Sequence, residues 1–200
     1  FAADNALGEL LLFLNNDTEV ISEDWLEALI EHALRSEVGA VGARLLYPNG
    51  MVQHAGVIIG VGGVAGHSHK FYPAGHPGYF SRAMAIQNLS AVTAACMMVR
   101  KEVFRSLGGF NEKDLPVAFN DVDFCLRVRE EGWRIIYTPY AELYHHESIS
   151  RGADHTPEKA LRFQRELEYM LETWKDHLPR DPFYSPNLTL EKEDFSISTI

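Results

Sequence analysis

The sequence contains only two cysteines in 200 residues and lacks any long apolar run. Cys96 and Cys125 lie in apolar surroundings without the spacing of a metal-binding pair, which predicts buried thiols in a reducing compartment. No apolar stretch approaches the roughly 18 residues that a membrane-spanning helix needs, and no signal peptide is visible. We therefore predict a cytoplasmic, soluble protein, and peripheral contact with the inner face of a membrane stays open.

Basic residues are also scarce, because 18 lysines and arginines stand against 28 acidic residues, giving a formal net charge of −10 at pH 7. This balance argues against non-specific binding of nucleic acid, which needs a basic face. The predicted partners therefore include no nucleic acid. An anionic small molecule stays open, because a bound metal ion can invert the local charge of a site.

Several common catalytic signatures are missing. The sequence has neither the glycine and lysine phosphate loop nor the Gly-x-Ser-x-Gly nucleophile elbow, so a metal-dependent nucleotidyltransferase is a weak alternative. His67, His69 and His76 could be proposed as a zinc site. However, residues 62–78 contain no cysteine, no His-x-x-x-His spacing and no carboxylate, which a zinc site would need. Contact with substrate or with a neighbouring loop is the favoured interpretation.

A continuously apolar stretch, Leu10 to Leu14, is typical of a strand that is buried on both faces. It ends at Asn15, Asn16 and Asp17, residue types that favour turns. In open α/β sheets, ligands bind at the carboxyl ends of the strands, so an acid at this point could also hold a cation or a phosphate. The stretch by itself leaves both interpretations open.

Strand and helix signals alternate along the chain, which predicts a single α/β domain. Apolar strands are predicted at residues 38–47, 52–60 and 91–99. Residues 61–88 are rich in glycine and histidine and too long for a plain connection, so we predict a functional loop or lid. A helix begins at Asn120 as N-cap, another begins at Thr156, and an extended arm follows residue 179.

The chain enters a core strand almost at once. A doubly wound domain normally places at least one βαβ unit before such a strand. We therefore expect either a fragment of a larger protein or a missing part that another chain supplies, as in a homo-oligomer.

Three residues could carry chemistry: Asp17 after a strand, Asp121 at a helix start and His145 after a strand. Each has a structural explanation, since Asp17 could turn the chain and His145 could be a packed imidazole. Asp121 could simply complement the helix dipole, worth about 0.3–1 kcal/mol. Together they are more informative, because Asp and His are suitable ligands for a divalent cation and a nearby carboxylate can act as a general base.

Three segments resemble family 2 glycosyltransferases, and they occur in that family's order. Residues 12–20, Leu-Phe-Leu-Asn-Asn-Asp-Thr-Glu-Val, resemble the segment around the family's Asp-x-Asp motif. Residues 108–112 and 120–127 resemble its acidic acceptor-side motif, and residues 132–135 with His145 are similar to the segment that follows. The likeness is greatest to bacterial rhamnosyltransferase-like members, which build surface polysaccharides.

The resemblance implies a GT-A-like mixed sheet with flanking helices, lacking the N-terminal nucleotide-binding strands. Residues 1–150 would be a partial catalytic domain, and residues 151–200 a C-terminal helix and extended tail. The resemblance also implies a nucleotide-diphosphate-sugar donor and a glycan or lipid-linked glycan acceptor. A divalent cation, Mn²⁺ or Mg²⁺, would assist a direct displacement with inversion.

The resemblance implies donor-side roles for four residues. Asp17 would bind the metal and the diphosphate, with Asn15 and Asn16 beside it on the donor. His145 matches a histidine that also binds the metal in some members. Asn15 stands where the motif often has its first aspartate, so the metal would rest on Asp17, His145 and the diphosphate itself.

The resemblance also implies acceptor-side roles for residues at the start of one helix. Asp121 would be the general base that takes the proton of the acceptor hydroxyl. Asn120 and Asp123 would flank it, with Asp123 contacting the acceptor or fixing the helix start. We therefore predict the acceptor-side part of an inverting hexosyltransferase in polysaccharide synthesis. The alternative is a non-catalytic module that keeps this fold and binds glycan or protein.

Overall fold

The computed structural model describes residues 1–146 and 156–198, which form a mixed sheet with helices on both faces. The strands are β1 (Leu10–Leu14), β2 (Thr18–Val20), β3 (Val38–Leu46), β4 (Val52–His54), β5 (Val57–Ile59), β6 (Ala65–His67), β7 (Gln87–Leu89), β8 (Cys96–Arg100) and β9 (Arg134–His145). The helices are α1 (Ala2–Asn5), α2 (Trp25–Ala33), α3 (Lys101–Ser106), α4 (Asn120–Glu130) and α5 (Pro157–Thr173). The predicted mixed sheet with flanking helices is confirmed.

The main sheet has the strand order β1-β8-β3-β9-β2, with β4 added to β3 and β7 added to β9. Strands β3 and β9 pair in parallel, whereas the other pairs in this sheet are antiparallel. Every residue of β3 is buried, as expected for a central strand covered on both faces. The ends of β1 and β9 and the start of β8 consequently meet at one edge of the sheet, where the candidate site lies.

Two apolar layers hold the helices against the sheet. Along β8, Cys96 and Met98 face the layer that contains α2, whereas Met97 and Val99 face the layer that contains α4 and α5. This alternation follows from the two-residue period of a strand. It also explains why the strand is apolar from Cys96 to Val99.

The single return strand predicted for residues 52–60 is wrong in detail, because the structure has two short strands there. The chain bends at Gly56, where φ is +96° and a Cβ atom would lie 1.9 Å from Cδ1 of Leu89. Only glycine fits this position without strain. After the bend, β5 leaves the main sheet and pairs with β6, so the predicted loop at residues 61–88 begins as a small hairpin.

Helix α4 begins differently from the prediction. Phe119, not Asn120, is the N-cap, and its φ of +60° lies in the left-handed region. Asn120 is the first helical residue, and its Nδ2 atom donates to the backbone oxygen of Val117 at 3.2 Å. The Asn120 side chain therefore stabilises the turn that precedes α4, and the N-cap residue makes no side-chain hydrogen bond to the helix.

The C-terminal segment is not the extended arm that the sequence suggested. Helix α5 does begin as predicted, with the Thr156 side chain accepting a bond from the backbone N–H of Lys159. Beyond it, the described tail folds back, and the Asp181 carboxylate accepts a bond from the backbone N–H of Ile59 at 2.8 Å. Buried apolar residues of the tail pack beside β5 at Tyr184, Leu188 and Phe195. The predicted boundary at residue 150 falls outside the described residues.

Both cysteines are buried free thiols, as predicted. Burial raises the pKa of each of them, Cys96 and Cys125, to about 12, because the thiolate would lose its hydration. In the described part of the chain, we find no helix that is both long and apolar enough to cross a membrane.

We expect the stability of the fold to depend on pH through His69. Burial, with Arg82 and Arg44 nearby, lowers the pKa of His69 from 6.5 to about 4, and its Nε2 accepts the N–H of Tyr79. The unfolded chain takes up a proton at His69 below pH 6.5, but the folded chain does so only near pH 4. Its contribution is therefore complete above pH 6.5 and is lost as the pH falls towards 4, about 2 kcal/mol by pH 5.

Urea unfolding at pH 7 and pH 5 measures this loss. In His69→Asn, where the side chain cannot be protonated and tolerates a positive φ, the difference between the two pH values should shrink by about 2 kcal/mol. An unaltered difference would show that other groups control the acid sensitivity.

Candidate active site

A cleft of about 770 Å³ opens at the edge of the sheet where β1 and β9 end and β8 begins. Asp17, Asp121 and His145, the three residues singled out in the sequence, all line it. Its walls also include residues just before β8, at the start of α4 and on α5. These are Thr93, Ala94, Ala95, Phe119, Val122 and Phe163.

The register between edge strand β2 and its neighbour β9 brings Asp17 to His145. In the β2–β9 pair, Thr18 stands opposite His145, and the backbone N–H of His146 donates to the backbone oxygen of Asp17 at 2.8 Å. As a result, Oδ1 of Asp17 lies 3.3 Å from Nε2 of His145. Both side chains are mostly buried, with 18% and 12% of their area exposed.

The second nitrogen of His145 is held by Gln53, the middle residue of β4. Nδ1 of His145 lies 2.7 Å from Oε1 of Gln53, and the Gln53 amide donates in turn to the backbone oxygen of His145 at 3.4 Å. This pattern places the ring proton on Nδ1, because the amide oxygen can only accept. Nε2 is then an acceptor, and Nδ2 of Asn15 faces it at 3.1 Å.

Oδ1 of Asp17 and Nε2 of His145 are therefore two acceptors 3.3 Å apart, and the Asn15 amide contacts the imidazole nitrogen. Oδ1 of Asp17 is buried and accepts no hydrogen bond. A proton on Nε2 or a metal cation between the two atoms would each relieve their repulsion. A histidine whose other nitrogen is fixed by an amide or carboxylate oxygen is also the usual form of a metal ligand.

These two side chains fit a divalent cation, but they do not complete its coordination. Within residues 1–146 and 156–198, no group of three or more His, Cys, Asp or Glu side chains could hold a metal. Carboxylate and imidazole are suitable ligands for Mn²⁺, whereas a structural zinc site needs four ligands. The remaining positions would be open to water or to oxygen atoms of a ligand.

Asp121 lines the same cleft from the first turn of α4. Its Oδ2 accepts the backbone N–H of Ala94 at 3.0 Å, and its Oδ1 accepts that of Val122 at 2.9 Å. Each carboxylate oxygen keeps a second lone pair. The two backbone donors thus fix the carboxylate in place while it retains the capacity to accept a proton.

The neighbours of Asp121 have different positions. Asn120 lines the cleft, as do Asn15 and Asn16. Asp123 is only 1% exposed, and its carboxylate accepts hydrogen bonds from Nε1 of Trp174 at 3.0 Å and from Nε of Arg127 at 2.9 Å. We therefore correct the predicted acceptor contact of Asp123. This residue ties α4 to Trp174 at the end of α5.

Arg127 extends this tie to the loop before α4. Its guanidinium donates to the backbone oxygens of Leu107 and Gly109, at 2.8 and 2.9 Å. Gly109 of the predicted acceptor-side motif is therefore held by the Asp123–Arg127 ion pair on α4. This motif has a structural role as well as a place near the cleft.

The loop histidines do not assemble a metal site in the described chain. His67 lines the cleft and contacts the backbone oxygen of Gln53, whereas His69 is buried against Ser68. His54, which the sequence analysis did not select, lies with its ring 4.9 Å from that of His67. Burial, reinforced by the nearby His67, holds the pKa of His54 well below its usual value.

Comparison with known proteins yields one family model, described as glycosyl transferase family group 2, which matches residues 10–168. An uncharacterized protein, y4gI, of Sinorhizobium fredii is 54% identical over 99% of this chain. The O-antigen biosynthesis protein RfbC of Myxococcus xanthus is 45% identical over 97% of it. The chain spans only 22% and 15% of the lengths of these two relatives.

Two solved structures share the fold. The mannosyltransferase PcManGT from Pyrobaculum calidifontis, solved with GDP-Man and Mn²⁺, aligns with a TM-score of 0.53 at 17% identity, over 88% of this chain and 41% of its own. GalNAc-T7, solved with UDP, GalNAc and Mn²⁺, aligns with a TM-score of 0.64 at 13% identity, over 88% and 34%. At these identities the likeness concerns the fold.

Proposed function

The chain belongs to glycosyltransferase family group 2 and has a GT-A fold, and from this we propose that it transfers a sugar from a nucleotide-diphosphate donor to a glycan acceptor. The observation that carries the proposal is the shared cleft of Asp17, His145 and Asp121. Polysaccharide synthesis in the cytoplasm, on a free or lipid-linked glycan, is part of the proposal. An O-antigen biosynthesis protein among the relatives supports it.

The donor side of the cleft supports a metal-assisted departure of the diphosphate. We assign Asp17 and His145 as the protein ligands of a divalent cation, Mn²⁺ or Mg²⁺, and Gln53 as the residue that orients His145. When bound, such a cation acts as a Lewis acid for the negative charge that develops on the leaving diphosphate. Asn15 and Asn16, exposed at the same turn, would contact the donor with their amide groups.

The acceptor side supports proton removal by Asp121. A sugar hydroxyl is a weak nucleophile, so a positioned base accelerates its attack, typically by about 10²–10⁴-fold. The fixed carboxylate of Asp121 takes this proton while the hydroxyl oxygen bonds to the anomeric carbon and the diphosphate leaves from the other face. A single displacement of this kind inverts the anomeric centre, and inversion is therefore part of the proposal.

The alternative function is a module that binds glycan or protein without catalysis. Its basis is that the cleft offers two candidate metal ligands, because the described residues contain no group of three or more His, Cys, Asp or Glu side chains that could hold a metal. Both functions use the same cleft, and binding of a nucleotide-sugar distinguishes the transferase from the non-catalytic module.

Calorimetry on the full-length protein tests the proposal. Nucleotide-diphosphate-sugars with uridine, guanosine and thymidine bases are titrated with and without MnCl₂. We expect at least one of them to bind only when Mn²⁺ is present. With that donor, NMR of the product should show a transferred sugar of inverted configuration. Failure of every donor to bind with Mn²⁺ would favour the non-catalytic module.

A further inference from the structure

Helix α5 carries a buried carboxylate whose partners are backbone groups of the cleft wall. Glu166 is 1% exposed, and its Oε1 accepts the N–H groups of Val117 and Ala118, at 2.8 and 3.1 Å. Its Oε2 lies 3.5 Å from Nε of Arg162, one turn earlier on the helix. A buried charge is costly unless it is paired and hydrogen-bonded, so this arrangement commits Glu166 to the loop it holds.

The loop held by Glu166 leads directly into the helix that carries Asp121. Val117 and Ala118 line the cleft, and the next residue, Phe119, has a φ of +60°. A bulky side chain at positive φ is strained, and such a conformation persists only where the surroundings over-determine it. The two bonds to Glu166, together with the amide of Asn120 on the Val117 oxygen, supply that constraint.

We infer that Glu166 is a positioning residue that fixes the 117–119 loop and, through it, the Asp121 carboxylate at the acceptor side of the cleft. The inference rests on the proposed function of Asp121 as the base. Glu166 itself does not line the cleft, so it acts through the backbone and not on a substrate. The contact joins the cleft wall to α5.

Two substitutions of Glu166 separate its hydrogen bonds from its charge. Glu166→Gln keeps an acceptor oxygen of the same reach for both N–H groups, whereas Glu166→Ala leaves them without a partner. Glu172→Ala, at an exposed position on the same helix, is the matched control. Thermal unfolding of all three variants establishes that each is folded under the conditions of the test.

Amide hydrogen exchange gives a measurement that does not depend on activity. In Glu166→Ala, the amides of Val117 and Ala118 should exchange about tenfold faster or more, because the charge-assisted bonds that protect them are lost. The amides of β3 should not change, and Glu166→Gln and Glu172→Ala should resemble the wild type. Unchanged exchange of the loop amides in Glu166→Ala, or equal acceleration throughout β3, would overturn the inference.

Steady-state kinetics on the full-length protein tests the consequence for Asp121. We expect Glu166→Ala to lower kcat by about 10–100-fold with little change in the donor KM, since a small displacement of a catalytic group has effects of this size. Glu166→Gln should recover most of the rate. Normal kcat in a folded Glu166→Ala variant would overturn the inference and leave the proposed function intact. No transfer by the wild type would contradict the proposed function alone, because the exchange measurement still decides the role of Glu166 in the loop.

Discussion

Replacing Asp121 with asparagine is expected to lower sugar transfer by about 10²–10⁴-fold while leaving the fold and donor binding intact. The asparagine amide oxygen can still accept the N–H of Ala94 or of Val122, so the start of α4 should keep its shape. A neutral amide cannot take the proton of the acceptor hydroxyl. The loss should therefore fall on kcat and not on the affinity for the donor.

The control for this variant is Glu131→Gln, which removes an exposed carboxylate from the other end of α4, away from the cleft. We expect its kcat to equal that of the wild type. Calorimetry with Mn²⁺ and the donor should show the same affinity in Asp121→Asn as in the wild type. Near-normal turnover by Asp121→Asn would show that Asp121 is not the base and that another group accepts the proton.

The contrast between Asp121 and Asp123 shows how far helical geometry could have guided the site prediction. Successive residues of an α-helix are about 100° apart, so two acids separated by one residue point to nearly opposite faces. Asp121 faces the cleft, whereas Asp123 faces Trp174 in the core. The period alone indicates that both acids cannot face one ligand. Which of them does depends on where α5 packs.

The strands of the core could be predicted because their apolar runs are local signals. Strands β1 and β3 lie close to the predicted stretches, whereas β8 begins only at Cys96 and not at residue 91 as predicted. The turn after β1 carries the predicted acid. The pairing of β2 with β9 has no such signal, because register between distant strands is determined by packing and not by local sequence. That register is what brings Asp17 to His145, and only the family resemblance anticipated it.

Other residues of the site were missed for the same reason. Gln53 is the middle residue of a three-residue strand with no motif around it, and Glu166 is one of several acids on a charged helix. Each acquires its role from a contact across the fold, with His145 in one case and with the backbone of Val117 and Ala118 in the other. Buried polar groups of this kind become visible only when their partners are known.

Loss of the Asp17 carboxylate is expected to abolish metal binding, with the affinity for Mn²⁺ falling more than about 100-fold in Asp17→Ala. His145→Ala should have an effect of similar size, because only these two side chains are assigned to the cation. Gln53→Ala should cost less, about 10–100-fold, which is the usual effect of losing the partner that orients a ligating histidine. The order of these three effects follows from the contacts that each residue makes.

Electron paramagnetic resonance of free Mn²⁺ measures these affinities in the full-length protein, with UDP or GDP present to complete the coordination. The neighbouring cross-strand pair offers a matched control, since Nε2 of His146 lies 3.3 Å from Oε2 of Glu19. Glu19 is 67% exposed, and neither residue lines the cleft, so Glu19→Gln and His146→Ala should bind Mn²⁺ as the wild type does. Equal losses in both pairs would indicate a general electrostatic effect of strands β2 and β9. Retention of Mn²⁺ by both Asp17→Ala and His145→Ala would place the cation elsewhere and remove the buried Asp17 Oδ1, which accepts no hydrogen bond, from the role of metal ligand.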